Sequence, residues 1–304
     1  MGSHVGEFAA LLTAVFWTIT ALAFESASKK IGSLAVNIIR LSIAFVFLSI
    51  YTLFSRGFFF PSDASVHNWG WLALSGLVGF VIGDLCLFQA FVVIGARTSM
   101  LIMSLAPPVA ALTGWIILGE HFTFQNTAGM ALTLTGIALV VLNRTPKKGV
   151  PGKKEMRLSY PIAGLLLAFG GAAGQGVGLV LSKLGMQEYN AFASSQIRVL
   201  AGIAGFAIVF SFLGRWASVI EALHHVPAMK RLTIGAFFGP FLGVSFSLLA
   251  IQHTNTGVAS TIMSIVPVLI IAPAVIINKE KLTIREVLGA VLAVAGVSLF
   301  FITF

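Results

Sequence analysis

The chain has 304 residues, 58% of them hydrophobic and only 10% charged, and its mean hydropathy is +0.99. A water-soluble domain cannot bury that much apolar surface, so lipid has to be the solvent for much of the chain. The formal net charge of +9 would indicate nucleic acid in a soluble protein; in a membrane protein the position of the cations matters more than their sum, and no nucleic-acid partner is expected.

Ten apolar runs of membrane-crossing length follow one another near residues 8–24, 33–54, 70–95, 98–118, 126–143, 161–181, 191–213, 232–252, 257–277 and 285–303. They are continuous and lack the alternation of a barrel strand, so the expected fold class is an all-α membrane protein with ten transmembrane helices. The first run contains Ala21-Leu22-Ala23, small residues like those of a signal-peptidase site, but only His4 and Glu7 precede it where a cleaved signal carries cations. It is read as a retained helix. Cys86, the single cysteine, falls inside a run and excludes an intrachain disulfide.

The cations are distributed unevenly. Lys29, Lys30, Arg97, the stretch RTPKKGVPGKKEMR (144–157), Arg215, Lys230, Arg231, Lys279, Lys281 and Arg285 follow odd-numbered runs, whereas the opposite loops hold Arg56 and Lys183. Basic loops are retained in the cytoplasm, which places both termini outside and makes 144–160 a basic cytoplasmic linker between residues 1–143 and 161–304.

The chain also resembles itself. Shifted by 160 residues, 96–142 lies over 256–302, with identities at Ile102/Ile262, Met103/Met263, Ser104/Ser264, Pro107/Pro267, Glu120/Glu280, Thr123/Thr283, Gly129/Gly289 and Gly136/Gly296. The register extends back to Gly79/Gly239 and Gly83/Gly243, and at slightly shorter offsets Ser28-Lys29 matches Ser182-Lys183 and Ile39-Arg40 matches Ile197-Arg198. Each half is five helices. Five is odd, so equivalent helices cross in opposite directions, and inverted repeats of this kind hold a binding site near the midplane between their halves.

The segment ARTSMLIMSLAPPVAALTGWIILGEHFTFQNTAGMALTLTGIALVV (96–141) and its second copy resemble the paired EamA domains of the drug/metabolite transporter superfamily. The marks are the mid-span proline, the Gly-Glu or Lys-Glu at the helix end, the following threonine, and a next helix with glycines seven apart. The resemblance implies a ten-helix carrier with its substrate between the halves. Bacterial members of that family are often metabolite or amino-acid exporters of the inner membrane, and the two-half layout is similar to YddG-type aromatic amino-acid exporters. A small-molecule substrate, lipid surroundings, action as a monomer and no cofactor are expected. Cationic drugs are a further substrate class. A phosphorylated-metabolite or nucleotide-sugar exchanger and a non-transporting scaffold or receptor are the alternatives. No set of His, Cys or carboxylates has metal or triad spacing, which speaks against an enzyme.

The expected cavity is apolar and aromatic, with Phe16, Trp17, Asp84, Phe88, Met100, Met103, Ser104, Gln175, Arg198, Ser245, Gln252, Met263 and Ser264 as its candidate residues. Pro107, Pro108, Pro267 and Pro273 lie inside runs, and each removes a backbone hydrogen bond; hinges and fixed kinks are both open readings. The sequence GGAAGQGVG (170–178) sets Gln175 among residues almost without side chains, which fits either a substrate volume or tight helix packing. Arg40 and Asp84 reach similar depths when counted at 1.5 Å per residue and are expected to form an intramembrane ion pair. Arg198 has Val244 where the repeat would supply a second Asp84. It either meets a substrate carboxylate or snorkels to headgroups.

Overall fold

A computed structural model describes residues 4–141, 161–269, 273 and 284–299. Among these residues every regular element is helical. The first half contains α1 (Val5–Ile31), α2 (Ser33–Arg56), α3 (Val66–Gly76), a π-helical stretch π1 (Leu77–Asp84), α4 (Leu85–Met103), which turns sharply at the non-helical Gly95 (φ 81°), α5 (Ala106–Leu118) and α6 (Phe124–Val141). The second contains α7 (Ile162–Met186), α8 (Ala191–Leu213), α9 (Trp216–His224), α10 (Val226–Ala236), π2 (Phe237–Gly243), α11 (Val244–His253), α12 (Thr256–Met263), α13 (Val266–Leu269) and α14 (Ile284–Ser298). The linker 144–160, Lys279, Glu280, Lys281 and Thr283 lie outside the described residues. Pro273 is helical and half-buried, and its immediate neighbours are likewise outside them.

Local chemistry explains where helices begin and end. Gly32, at φ 82°, makes the one-residue turn between α1 and α2, a conformation that costs any residue with a Cβ. Ser65 and Asn68 form a reciprocal capping box that starts α3, and the Asn190 side chain accepts the first free N–H groups of α8. Inside the helices, hydroxyls such as Thr13 and Thr18 bond back to the carbonyl four residues earlier, which satisfies them without water.

Among the described residues, six helices are long and apolar enough to cross a membrane: Val5–Ile31, Ser33–Arg56, Val66–Gly95, Ile162–Met186, Ala191–Leu213 and Val226–His253. Two of the expected continuous runs are broken. The fourth is divided at Ser104–Leu105 and the ninth at Ser264–Ile265, the same place in each repeat. Pro107 and Pro108 consequently sit in the first turn of α5, and Pro267 in that of α13, so they start helices and do not kink a helix interior. The physical reason is that first-turn N–H groups have no intrahelical acceptor, and proline loses nothing there. A second correction concerns the loop expected after Leu213, which contains the short helix α9.

Glycines fix the packing. On α10 and π2, Gly235 faces Phe24, Gly239 faces Thr20 and Gly243 faces Trp17, so this long helix runs antiparallel to α1. The second half repeats the arrangement: Gly185 faces Trp71, Gly178 faces Gly79, Gly174 faces Gly83 and Gly171 faces Leu87, which sets α7 antiparallel to α3, π1 and α4. Each half therefore contributes its first helix to the third helix of the other. Between α2 and α8, Leu41 meets Gly202, Ser49 bonds Gln196, and the Tyr51 and Phe192 rings are 4.1 Å apart, so α2 descends as α8 ascends. Gly136 beside Gly289 and Ala293, with Gly296 beside Gly129 and Thr133, gives the same antiparallel sense to α6 and α14.

The two ends of the bundle collect different loops. At one end Thr254 reaches Glu7, Asn255 bonds the His121 carbonyl, and Lys183 bonds Glu120 at 2.9 Å. At the other lie the Gly32 turn, the Glu25–Lys29 pair and the Arg231–Ser26 contact.

Candidate functional site

A cavity lies at the seam of the two halves, with about 110 Å³ in which a water-sized sphere can be centred. One water needs roughly 10–15 Å³ by that measure, so the space suits a small organic molecule better than a single solvent molecule. Its walls come from both repeats, and at equivalent positions: Phe80 with Pro240, Asp84 with Val244, Met103 with Met263, Ser104 with Ser264, and Pro107 with Pro267 all line it. Both helix breaks thus open onto the cavity. Because Pro107 and Pro267 carry no N–H, they offer no helical bond to the carbonyls of Met103 and Met263.

Most of the wall is apolar, and α1 supplies one stripe of it. Trp17, Thr20, Ala21 and Phe24 recur at helical spacing and face inward together. Phe80, Asp84, Leu87, Phe88 and Phe91 make a second stripe along π1 and α4, with Met100 and Met103 beyond it. Aromatic rings and flexible thioethers accommodate varied apolar groups.

The charged part of the wall is one connected cluster. An Nη of Arg40 donates to Asp84 Oδ2, while Asn37 Oδ1 accepts from Arg40 Nε at 3.1 Å and from Nη2 at 3.0 Å. Gln175 Nε2 donates to Asp84 Oδ1 at 2.7 Å. The Asn37 amide turns its N–H toward the Ser33 carbonyl at 3.1 Å and the Asp84 carbonyl at 3.4 Å. Aromatic faces surround the guanidinium, with ring centroids at 4.6 Å for Phe88, 5.5 Å for Phe24 and 5.7 Å for Phe80. A charged pair this deeply buried is tolerable only because hydrogen bonds and π faces replace the water it has lost. The glycines around Gln175 have a double use. Gly171, Gly174 and Gly178 press against α3, π1 and α4, and Gly176 against Ala106 and Val109, so Gln175 is carried close enough to touch Asp84.

Of the residues expected at the site, Trp17, Asp84, Phe88, Met100, Met103, Ser104, Gln175, Met263 and Ser264 line the cavity. Four stand apart. Phe16 packs on Phe238 at 5.8 Å and Phe246 at 5.7 Å, because adjacent helical residues point about 100° apart and Trp17 has taken the inward position. Ser245 is fully buried, and its hydroxyl has no hydrogen-bond partner among the described residues. Gln252 caps the 187–190 segment through the carbonyls of Gln187 and Tyr189. Arg198 lies behind Phe80, its guanidinium carbon 5.0 Å from the ring centroid, and at 3% exposure it does not snorkel. Wall residues the sequence reading did not name, among them Thr20, Phe24, Phe80 and Phe91, carry a signal that was available: the helical spacing from Trp17 and from Asp84.

At the loop end, the buried carboxylate of Glu120 accepts from Lys183 Nζ, the Thr256 N–H and the Thr256 hydroxyl, tying the first half to the second.

Residues 4–142 and 162–302 each match the EamA-like transporter family. The chain belongs to that family. Transport, not catalysis, is the family's activity, and the chain is a multi-pass membrane protein. This EamA-like transporter is 22% identical over 287 residues to an uncharacterized transporter of Archaeoglobus fulgidus, covering 94% of this chain and 95% of that one. It is 22% identical over 230 residues to an uncharacterized transporter of Clostridium kluyveri, covering 76% and 71%. An uncharacterized membrane protein of Saccharomyces cerevisiae is 24% identical over 192 residues, and the match spans 45% of the yeast protein's length. A solved crystal structure superposes with a TM-score of 0.69 over 97% of this chain and 96% of the other at 17% identity, which establishes a common fold and nothing about substrate.

Proposed function

We propose that this EamA-like transporter exports small organic metabolites, foremost aromatic and neutral amino acids, by alternating access between two inverted five-helix repeats. The repeats are residues 1–143 and 161–304, the linker is 144–160, and the chain crosses the membrane ten times with both termini outside. The observation that carries this reading is the cavity at the seam, walled by equivalent residues of both halves and containing one charged cluster in a largely apolar and aromatic space. The antiparallel packing of α2 with α8 and of α6 with α14 supports the inversion. Rocking one half against the other would then expose the same cavity to either side.

An aromatic amino acid suits this wall because its ring can lie among Trp17, Phe24 and Phe88 while its carboxylate meets Arg40. The test is counterflow into liposomes preloaded with unlabelled solute, using labelled amino acids and cationic drugs, with and without a pH gradient. Saturable uptake of phenylalanine or tryptophan that is lost in Trp17→Ala is the expected result. Absence of flux for the whole panel would remove the transport reading.

A further inference from the structure

Three charged side chains are buried together at mid-bundle, and their charges do not cancel. Arg40 and Arg198 are each 3% exposed and Asp84 is 4% exposed. Arg40 holds Asp84 directly. Among the described residues Arg198 makes no such bond: its Nε has no hydrogen-bond partner there, its guanidinium lies 5.0 Å from the Phe80 centroid, and Nη2 crowds Gly79. Asp84 ends π1, the same stretch whose Gly79 and Phe80 Arg198 lies against. Phe80 touches both guanidiniums, Arg40 from 5.7 Å. The two arginines also occupy equivalent repeat positions, in Ile39-Arg40 and Ile197-Arg198, whereas the residue equivalent to Asp84 is Val244. Two repeat-related cations therefore face a single carboxylate.

The geometry points to Asp84 as a transferable counter-ion: a carboxylate-bearing solute takes its place on Arg40, and Asp84 passes to Arg198. This rests on the cavity being the solute site. As the trio stands it carries one surplus positive charge in a low-dielectric interior, which is expensive. With a monoanionic head group on Arg40 and Asp84 on Arg198, the surplus becomes two neutral pairs. A purely cationic solute would add to it, so the trio selects against amines that lack a carboxylate. Asp84 is the last residue of π1, and a π stretch that shifts toward α geometry turns the residues within it against their neighbours.

The first test needs no solute. Thermal unfolding of the purified full-length chain in detergent is compared for Arg40→Gln and for Arg40→Gln/Arg198→Gln, each with and without Asp84→Asn. If Asp84 passes to Arg198, Asp84→Asn lowers the midpoint in the Arg40→Gln background and raises it once Arg198 is also replaced. A rise of equal size in both backgrounds overturns the exchange. The second test keeps Arg40 and so stands even where Arg40→Gln does not accumulate. It uses three probes with one phenyl ring: 3-phenylpropionate, phenylalanine and phenethylamine. 3-Phenylpropionate raises the midpoint, phenylalanine raises it less because its ammonium restores the surplus charge, and phenethylamine does not; Arg198→Gln raises the concentration of 3-phenylpropionate needed for half-maximal protection by about tenfold or more, because Asp84 then competes for Arg40. Arg198→Lys restores most of that protection. Stabilisation by phenethylamine alone, or protection by 3-phenylpropionate that ignores Arg198→Gln, sinks the proposal. A solute panel without flux would strike the transport reading and leave the unfolding cycle intact, so the two failures are distinguishable.

Discussion

Asp84 is held on both oxygens, by Arg40 and by Gln175, and each bond compensates for water the carboxylate lost on burial. Gln175→Leu leaves Oδ1 without its donor. Hydrogen bonds to charged groups contribute about 1.5–3 kcal/mol, so a fall in thermal midpoint of that worth is expected. Adding Asp84→Asn to Gln175→Leu should not deepen it by the full single-mutant amount, which thermal unfolding checks. A different carboxylate governs the loop end. Asp63 Oδ1 accepts from the Tyr189 hydroxyl at 2.8 Å, and Arg56 bonds both residues. Desolvation pushes the Asp63 carboxyl up, but the Tyr189 hydrogen bond and the Arg56 charge outweigh it and hold it below its ordinary value. A depressed carboxyl stabilises the fold above its unfolded pKa, and that contribution is lost as pH falls through the folded one. Asp63→Asn should therefore lower the midpoint at neutral pH, with the difference shrinking progressively below about pH 4.

Helix contacts depend on glycines that have no room for a side chain. A Cβ on Gly174 would lie 2.7 Å from Gly83 Cα and 3.0 Å from the Val78 carbonyl oxygen, both backbone atoms that cannot give way. Gly174→Val should cost about 1–3 kcal/mol through overpacking, read as a lower thermal midpoint, and should also withdraw Gln175 from Asp84. Gly70 in α3 is the control: a Cβ there meets nothing within 4 Å, and Gly70→Ala should stabilise by roughly 0.5–1 kcal/mol through helix propensity. Proline behaves according to position in the same way. Pro107 and Pro267 begin helices, whereas Pro240 lies inside π2 at the position equivalent to Phe80. From sequence, a proline in a run of apolar residues could not be assigned to a helix interior or a first turn, since that depends on whether the chain breaks two residues earlier.

The bundle as a whole predicts sidedness. With Cys86 replaced by serine, single cysteines at Asp63 and Asn255 should react with an impermeant maleimide from outside intact cells, and cysteines at Lys30 and Arg215 only after permeabilisation. Labelling of both sets from one side would end the inverted arrangement. The apolar runs, their order, the duplication and the membrane setting were all legible in residue order, because they depend on local composition and on matches along the chain. The Arg40–Asp84 contact was also legible, since depth along a helix is counted in residues. Rotation and neighbours were not. Whether Phe16 or Trp17 faces the cavity, and whether Phe80 stands between Arg198 and that cavity, depends on how each helix is turned against partners more than a hundred residues away. Hydropathy is nearly uniform around these helices, because lipid and core are alike apolar, so no polar face marks the inward side. The sequence by itself determined the membrane setting and the repeat of one half in the other, while tertiary packing decided where two of the runs break and which side chains meet at the seam.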